Sequence, residues 1–263
     1  MPELPDVEHF CRFLADHALG ARIDRVVTTD PGILRNVDAG TLDHALRGHW
    51  FEEPHRHGKW LVAWTTGPAI VIHFGMTGGF RWAAGPDGRH RHDRVIFETD
   101  RGELRYRNMR KLGGLWLAHG PDEVDRLLAA VGPDALAVDP RALRAALDRR
   151  RGQVKAVLMN QAVLAGVGNL AADEALWQAR IHPRRRLEEL NEAERRALVH
   201  AVRRVLRTWV DRFDRLPGTW LLPVRGRPEA DCPRCSTRLE RTVVGGRTTF
   251  FCPTCQPYTP DRD

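Results

Sequence analysis

The strongest constraint on folding lies near the end of the chain, where CPRCSTRLERTVVGGRTTFFCPTC sets Cys232, Cys235, Cys252 and Cys255 in a C-x2-C-x16-C-x2-C array. Two such knuckles each offer a pair of thiolates to one tetrahedral zinc ion, and the RTVVGG and RTTFF runs between them are suited to pair as a hairpin through Gly245 and Gly246. Four sulfur ligands leave no coordination position for water. One structural Zn2+ is therefore expected, its binding energy holding a segment too short to bury a core of its own. Cysteines gathered at one end are the wrong distribution for a secreted disulfide framework. The remaining cysteine, Cys11, has no neighbour that would activate a thiolate and is expected to pack as a small apolar side chain.

Lys and Arg number 41 against 34 Asp and Glu in 263 residues, a formal net charge of +7. That balance favours a polyanionic partner, nucleic acid ahead of an anionic membrane surface. The first residues lack the charged start and apolar run of a signal peptide, and no stretch approaches the ~18 apolar residues needed to cross a bilayer. A cytoplasmic protein is expected.

Val7, Phe10, Cys11 and Leu14 recur at helical spacing and predict a leading helix that ends near Gly20. Between Ile23 and Leu117 the texture becomes short apolar runs (KWLVAW, AIVIHF, DRVIFE, ELRY, GLWL) broken by TTGP, GPDG and DRG turn signals, which predicts a β-sandwich. From Pro121 the pattern is helical again, through EVDRLLAAV, PRALRAALDRR, VKAVLMNQAVL, NLAADEALWQAR and a long segment from Asn191 to about Phe213. The fold class is α+β, with domains expected at 1–120, 121–225 and 226–263; the Pro/Gly/Arg-rich stretch from Leu216 to Asp231 reads as the connection to the terminal module.

Two features admit both a structural and a functional reading. In VKAVLMNQAVLAGVGNLAADE, two helical patterns meet at AGVGN: Asn169 fits an N-cap and Gly166 and Gly168 supply backbone freedom. That is either an ordinary helical hairpin or a phosphate seat, to which Lys155 and the Arg184–Arg186 run would add charge. Arg247, at the start or tip of the hairpin, suits either solvated surface or a grip on phosphate or base. The HRHGK and HRH clusters at 55–59 and 90–92 lack acidic or cysteine ligands and read as surface rather than metal sites. The opening PELPD is accounted for, at a first pass, as a helix start with proline and acids in the first turn.

Taken together, PELPDVE at the start, GKW at 58–60, HFGMTG at 73–78, RNMRKLGG at 107–114, GVGNLAADE at 166–174 and GGRTTFFCPTCQ at 245–256 resemble the formamidopyrimidine-DNA glycosylase/endonuclease VIII family, nearly end to end. The resemblance implies a β-sandwich with a leading helix, a helix–two-turns–helix domain and a four-cysteine zinc finger. It also implies a bifunctional DNA glycosylase and abasic-site lyase acting on damaged double-stranded DNA, with no obligate protein partner. In that family, removal of Met1 leaves Pro2 with a free secondary amine that attacks the sugar C1′. An α-amino group with pKa about 8, against about 10.4 for lysine, is far more available as a nucleophile at neutral pH. The resulting iminium is an electron sink for β,δ-elimination. By the same resemblance Glu3 is the acid/base that opens the sugar ring, for which burial would raise its pKa toward the working pH. Lys59 assists at the flanking phosphate, and His73, Lys155, Asn169 and Arg247 belong to the phosphate grip. Met76, Arg110 and Leu112 fill the gap left by the extruded base. Asp6 and Glu174 match supporting acids.

The sequence departs from the family at Asp6, usually glutamate; at Leu112, usually phenylalanine in the formamidopyrimidine branch; and at Ala171, commonly tyrosine. The stretch RLPGTWLLPVRGRPEAD is also short for a lid over an extruded base. The leading expectation is removal of oxidised purines (formamidopyrimidine, 8-oxoguanine). The alternatives are an endonuclease VIII-like enzyme on oxidised pyrimidines, a lyase acting mainly at abasic sites, and, in another class, a non-catalytic zinc-finger DNA-binding protein, which would have no need of Pro2 and Glu3.

Overall fold

In the computed structural model, which describes residues 2–258, the apolar stripe Leu4, Val7, Cys11 and Leu14 is the buried face of α1 (Leu4–Ala18). Pro5 stands in its first turn, where a missing N–H costs nothing. The Cys11 thiol has its pKa pushed up to about 12 by burial, as a packed apolar side chain should. After α1 come β1 (Ile23–Thr28), α2 (Ala39–Leu46), β2 (His55–His57), β3 (Trp60–Ala63), β4 (Ala69–His73), β5 (Gly78–Ala83), β6 (Asp93–Thr99), β7 (Gly102–Asn108) and β8 (Gly114–Ala118). They form two antiparallel four-stranded sheets, β1-β6-β7-β5 and β2-β3-β4-β8. α1 packs against strands of both.

Period-2 alternation explains why the central runs read as continuously apolar. Leu61, Ala63, Ile70 and Ile72 face the sandwich core with Phe51, Phe80, Phe97 and Tyr106. Their neighbours Val62, Ala69 and Val71 face the other way, against Val124, Leu127 and Leu128 of α3 (Pro121–Leu128). The chain divides into compact units Met1–Ala130 and Val131–Asp263. α3, which covers the outer face of the second sheet, lies in the first of these units.

The second unit holds α4 (Pro140–Asp148), α5 (Val154–Met159), α6 (Asn169–Ala179), α7 (Glu192–Asp211), β9 (Glu240–Val244) and β10 (Arg247–Phe251). Asp139 caps α4 by accepting from Arg141 N and Ala142 N, and Asn191 and Glu194 close a capping box on α7. VKAVLMNQAVL does not run on as one helix: α5 stops at Met159, and Asn160 Oδ1 and O accept the N–H groups of Ala162, Val163 and Leu164 in the turn that follows. The N-cap of α6 is Gly168, not Asn169; the Asn169 amide instead donates to Thr248 O at 2.9 Å. In the β9–β10 hairpin Val244 pairs with Arg247, and Gly245 and Gly246 both have positive φ (+56° and +70°), the requirement of a tight I′-type turn.

The expected connection from Leu216 to Asp231 is not a bare linker. Leu221 is buried in one cluster with Trp177, Cys232, Cys252 and Cys255, and Leu222 N–H donates to Glu174 at 2.9 Å. The four sulfurs lie within 4.8 Å of one another. Sulfur–sulfur separations of 3.9 Å (Cys232–Cys255), 3.5 Å (Cys235–Cys252) and 3.4 Å (Cys235–Cys255) bracket the edge of about 3.8 Å expected for a tetrahedron with Zn–S bonds of about 2.3 Å, and are far beyond a disulfide bond of about 2.05 Å. The cluster fits one structural zinc.

Cys252→Ser is expected to lose the metal and loosen the hairpin. Zinc release to a chelating dye, followed together with the fluorescence of the buried Trp177, checks this; a variant that keeps both signals unchanged would contradict the structural role. Glu174 carries a pH prediction. Burial pushes its carboxyl up to about 7 from 4.5. Between those values the unfolded chain ionises while the folded one resists, so stability falls as pH rises through the window, by roughly 3 kcal/mol at most. Glu174→Gln should flatten that part of the stability–pH curve, measured by urea midpoints, and an unchanged slope would refute the assignment.

Candidate functional site

The helix-start reading of PELPD accounts for Pro5 and for the capping box between Glu3 and Asp6 but gives Pro2 no role. Pro2 precedes α1, and Glu3 is the N-cap residue with only 1 % of its surface exposed, although glutamate is not a preferred cap. Its backbone N–H donates to Asp6 Oδ2 at 2.7 Å. Asp6, its pKa raised by burial, therefore fixes the backbone on which Pro2 and Glu3 sit. Met1 lies outside the described residues.

Lys59 is on the two-residue turn Gly58–Lys59 between β2 and β3. Gly58 takes φ +58° there, and Lys59 is 8 % exposed. The next residue, Trp60, pairs across the ladder with His73, their rings 4.8 Å apart. Burial and the nearby Lys59 charge lower the His73 pKa, which keeps the ring neutral. Its Nδ1 accepts Gly75 N–H at 3.2 Å, so the proton sits on Nε2, which is left as a donor. The Lys59 ammonium and a neutral imidazole donor thus share one patch of the second sheet.

Met76, Arg110 and Leu112 stand on two turns held together by backbone. Gly75, with φ +63°, lies so close to Leu112 and Gly113 that a Cβ there would approach within 2.4 Å of Gly113 N. Asn108, fully buried, ties both turns: its Nδ2 donates to Phe74 O at 3.2 Å, and its Oδ1 accepts from Thr77 Oγ1 at 3.2 Å and Lys111 N at 3.0 Å. Arg35 donates to Gly113 O and to Lys111 O. Leu112 and Met109 are each 55 % exposed, apolar groups offered to solvent on a rigid platform.

In the second unit the start of α6 and the strand β10 converge on Thr248, whose carbonyl accepts from both Asn169 Nδ2 and Arg225 Nη2. Arg247, the preceding residue, is exposed, and its side chain has no hydrogen-bond or ion-pair partner among the described residues. Lys155 corrects an expectation. It has no exposed surface, with Nζ 2.7 Å from Asp173 Oδ1 and 2.5 Å from Thr249 Oγ1, so it ties α5 to α6 and β10 and does not present its charge at the surface. The Arg184–Arg186 run is likewise engaged, with Thr242, Glu194 and Glu188. Glu174, also without exposed surface, accepts from Gln178 Nε2 and Leu222 N.

Asp173 is the hub: besides its ion pair with Lys155 through Oδ1, its Oδ2 accepts from Arg225 Nε at 2.7 Å and from Phe250 N at 3.2 Å. An acid at a helix position buried on all sides was the available signal. Asn108 and Arg225 carried no sequence signal beyond residue type. Among the described residues the four cysteines are the only group of three or more His, Cys, Asp or Glu side chains placed to hold one metal ion. No described helix is long and apolar enough to cross a membrane.

Known proteins share this arrangement. Family models match residues 1–115 (formamidopyrimidine-DNA glycosylase N-terminal domain), 130–214 (formamidopyrimidine-DNA glycosylase H2TH domain) and 232–257 (zinc finger found in FPG and IleRS). The formamidopyrimidine-DNA glycosylase of Bacillus cereus is 36 % identical over 98 % of this chain and 99 % of its own length. That of Symbiobacterium thermophilum is 38 % identical over 98 % and 90 %. The Lactococcus lactis Fpg bound to DNA containing an abasic site superposes with TM-score 0.88 at 28 % identity, covering 97 % of this chain and all (100 %) of that one. The same enzyme bound to N7-benzyl-Fapy-dG DNA gives 0.89 at 28 % identity, over 98 % and 100 %. With these matches running through the sandwich, the paired helices and the four-cysteine finger, the chain belongs to the formamidopyrimidine-DNA glycosylase family.

Proposed function

We propose that this base-excision repair glycosylase and abasic-site lyase removes oxidised purines of the formamidopyrimidine type from duplex DNA in the cytoplasm, at the nucleoid, through a covalent intermediate on Pro2. The observation that carries the reading is the start of α1: a proline outside the helix, which loss of Met1 would leave with a terminal secondary amine, followed by the almost fully buried Glu3 carboxylate. The Pro2 nitrogen attacks C1′ while Glu3 protonates the sugar oxygen; the ring opens, the damaged base departs, and a C1′ iminium remains. That cation accepts the electron pair released when a proton is lost from C2′, expelling the 3′ phosphate, and a second elimination expels the 5′ phosphate. The covalent bond is then lost by hydrolysis.

Lys59 and the Nε2–H of neutral His73 supply donors to the phosphates beside the lesion, and Asn169 and Arg247 supply donors from the second unit. The second N–H of the Asn169 amide is available once the first is given to Thr248. Met76, Arg110 and Leu112, on turns locked through Asn108, occupy the gap when the nucleotide is turned out, an extrusion costing a few kcal/mol. The zinc holds the hairpin that carries Arg247 and takes no part in the chemistry.

A second reading, cleavage mainly at abasic sites or oxidised pyrimidines, is favoured by one observation. α7 ends at Asp211, and the chain is packed again from Trp220, leaving only a short stretch to cover an extruded base.

Glu3→Gln is expected to lower excision of an oxidised purine by on the order of 10²- to 10⁴-fold while DNA affinity stays near wild type. Single-turnover excision and equilibrium binding on one duplex check this. Undiminished excision would remove Glu3 from the reaction.

A further inference from the structure

Lys59 rides on a weakly held element. β2 has only three residues, His55–His57, and lies at the edge of its sheet, hydrogen-bonded to β3 alone among the described strands. A short edge strand of this kind fixes the turn it leads into poorly unless something else pins it.

Arg56, the middle residue of β2, supplies that pin. Its side chain is 7 % exposed, and its Nε donates to Glu8 Oε2 on α1 at 2.8 Å. Nη1 of the same guanidinium donates to the carbonyl of Gly58, at 3.3 Å, the residue immediately before Lys59. Glu8 is held in turn, its other oxygen accepting Arg12 Nε at 3.3 Å from the next turn of α1. One planar group therefore joins the helix that Glu3 caps to the backbone of the turn that carries Lys59.

We propose that Arg56 is a positioning residue for Lys59: the relay from Glu8 through Arg56 to the Gly58 carbonyl sets where the Lys59 ammonium stands relative to the Pro2–Glu3 start of α1. The inference rests on Lys59 acting at the flanking phosphate as described above. Its physical basis is the fork of the guanidinium, which donates from two separate nitrogens in two fixed directions at once; a lysine can keep the charge facing Glu8 but offers one nitrogen on a flexible stem and does not reproduce that fixed fork. Misplacement of a catalytic group by about 1 Å costs on the order of 100-fold in rate. A role limited to stability would lower the melting temperature and leave the rate of the folded enzyme alone.

The test is a double-mutant cycle on zinc-loaded full-length protein, using single-turnover cleavage of a duplex with a pre-formed abasic site. The proteins are wild type, Arg56→Lys, Lys59→Ala and the pair together. Arg56→Lys is expected to slow cleavage on the order of 10- to 100-fold, with the dissociation constant for the duplex within about threefold of wild type, and to add no further loss in the Lys59→Ala background. Wild-type rate for Arg56→Lys, or the same slowing in both backgrounds, would overturn the inference while leaving Lys59 in the reaction. Wild-type rate for Lys59→Ala is a different failure, one that removes the role of Lys59 and the inference with it. Should Arg56→Lys not fold, judged by circular dichroism, Glu8→Gln is read in the same cycle, since it weakens the relay from its other end.

Discussion

The nucleophile proposed at Pro2 has only the residues that follow it to hold it in place, and the packing of the sandwich unit meets that constraint. α1 cannot be a surface helix that frays. Leu4, Val7 and Leu14 have no exposed surface, and the helix packs on strands of both sheets. Burying such side chains is worth about 1.5–3 kcal/mol each, so the first turn is anchored from within the core. Asp6 then ties the Glu3 N–H, and Arg56 couples the same helix to the turn bearing Lys59. The proposed nucleophile and acid are thereby placed by packing and not by a loop.

The second unit solves a different problem, joining short helices to a hairpin that has almost no core of its own. Asp173 does so electrostatically: a carboxylate without exposed surface, bridging Lys155 on α5, Arg225 before the finger and the Phe250 N–H on β10. Removing one partner of such a group leaves a buried charge uncompensated, a loss of several kcal/mol. The network and the zinc together keep Thr248 against the start of α6. Arg247 is thus presented on a fixed strand with its side chain exposed.

Features with local rules behind them were legible in the sequence. The cysteine spacing implied the metal cluster, the Gly-Gly pair its hairpin, and the alternating runs the two sheets. What escaped depends on long-range partners. Lys155 reads as a free cation until Asp173, eighteen residues on, and Thr249 are brought to it. Asn169 fits a cap by type, yet its amide is drawn to Thr248 in the distant hairpin, and Gly168 takes the cap position. The stretch from Leu216 is polar and proline-rich like a linker, but Leu221 and the Leu222 N–H each have a buried site waiting.

The chemistry assigned to the chain terminus is tested most directly by borohydride trapping of zinc-loaded protein, with Met1 shown to be removed, on duplexes carrying 8-oxoguanine, an oxidised pyrimidine or an abasic site. Peptide mapping then locates the adduct. The expected result is a covalent adduct on Pro2, strongest with the lesion the enzyme prefers. An adduct on a lysine instead, or none on any of the three duplexes, would contradict the role of the terminal amine.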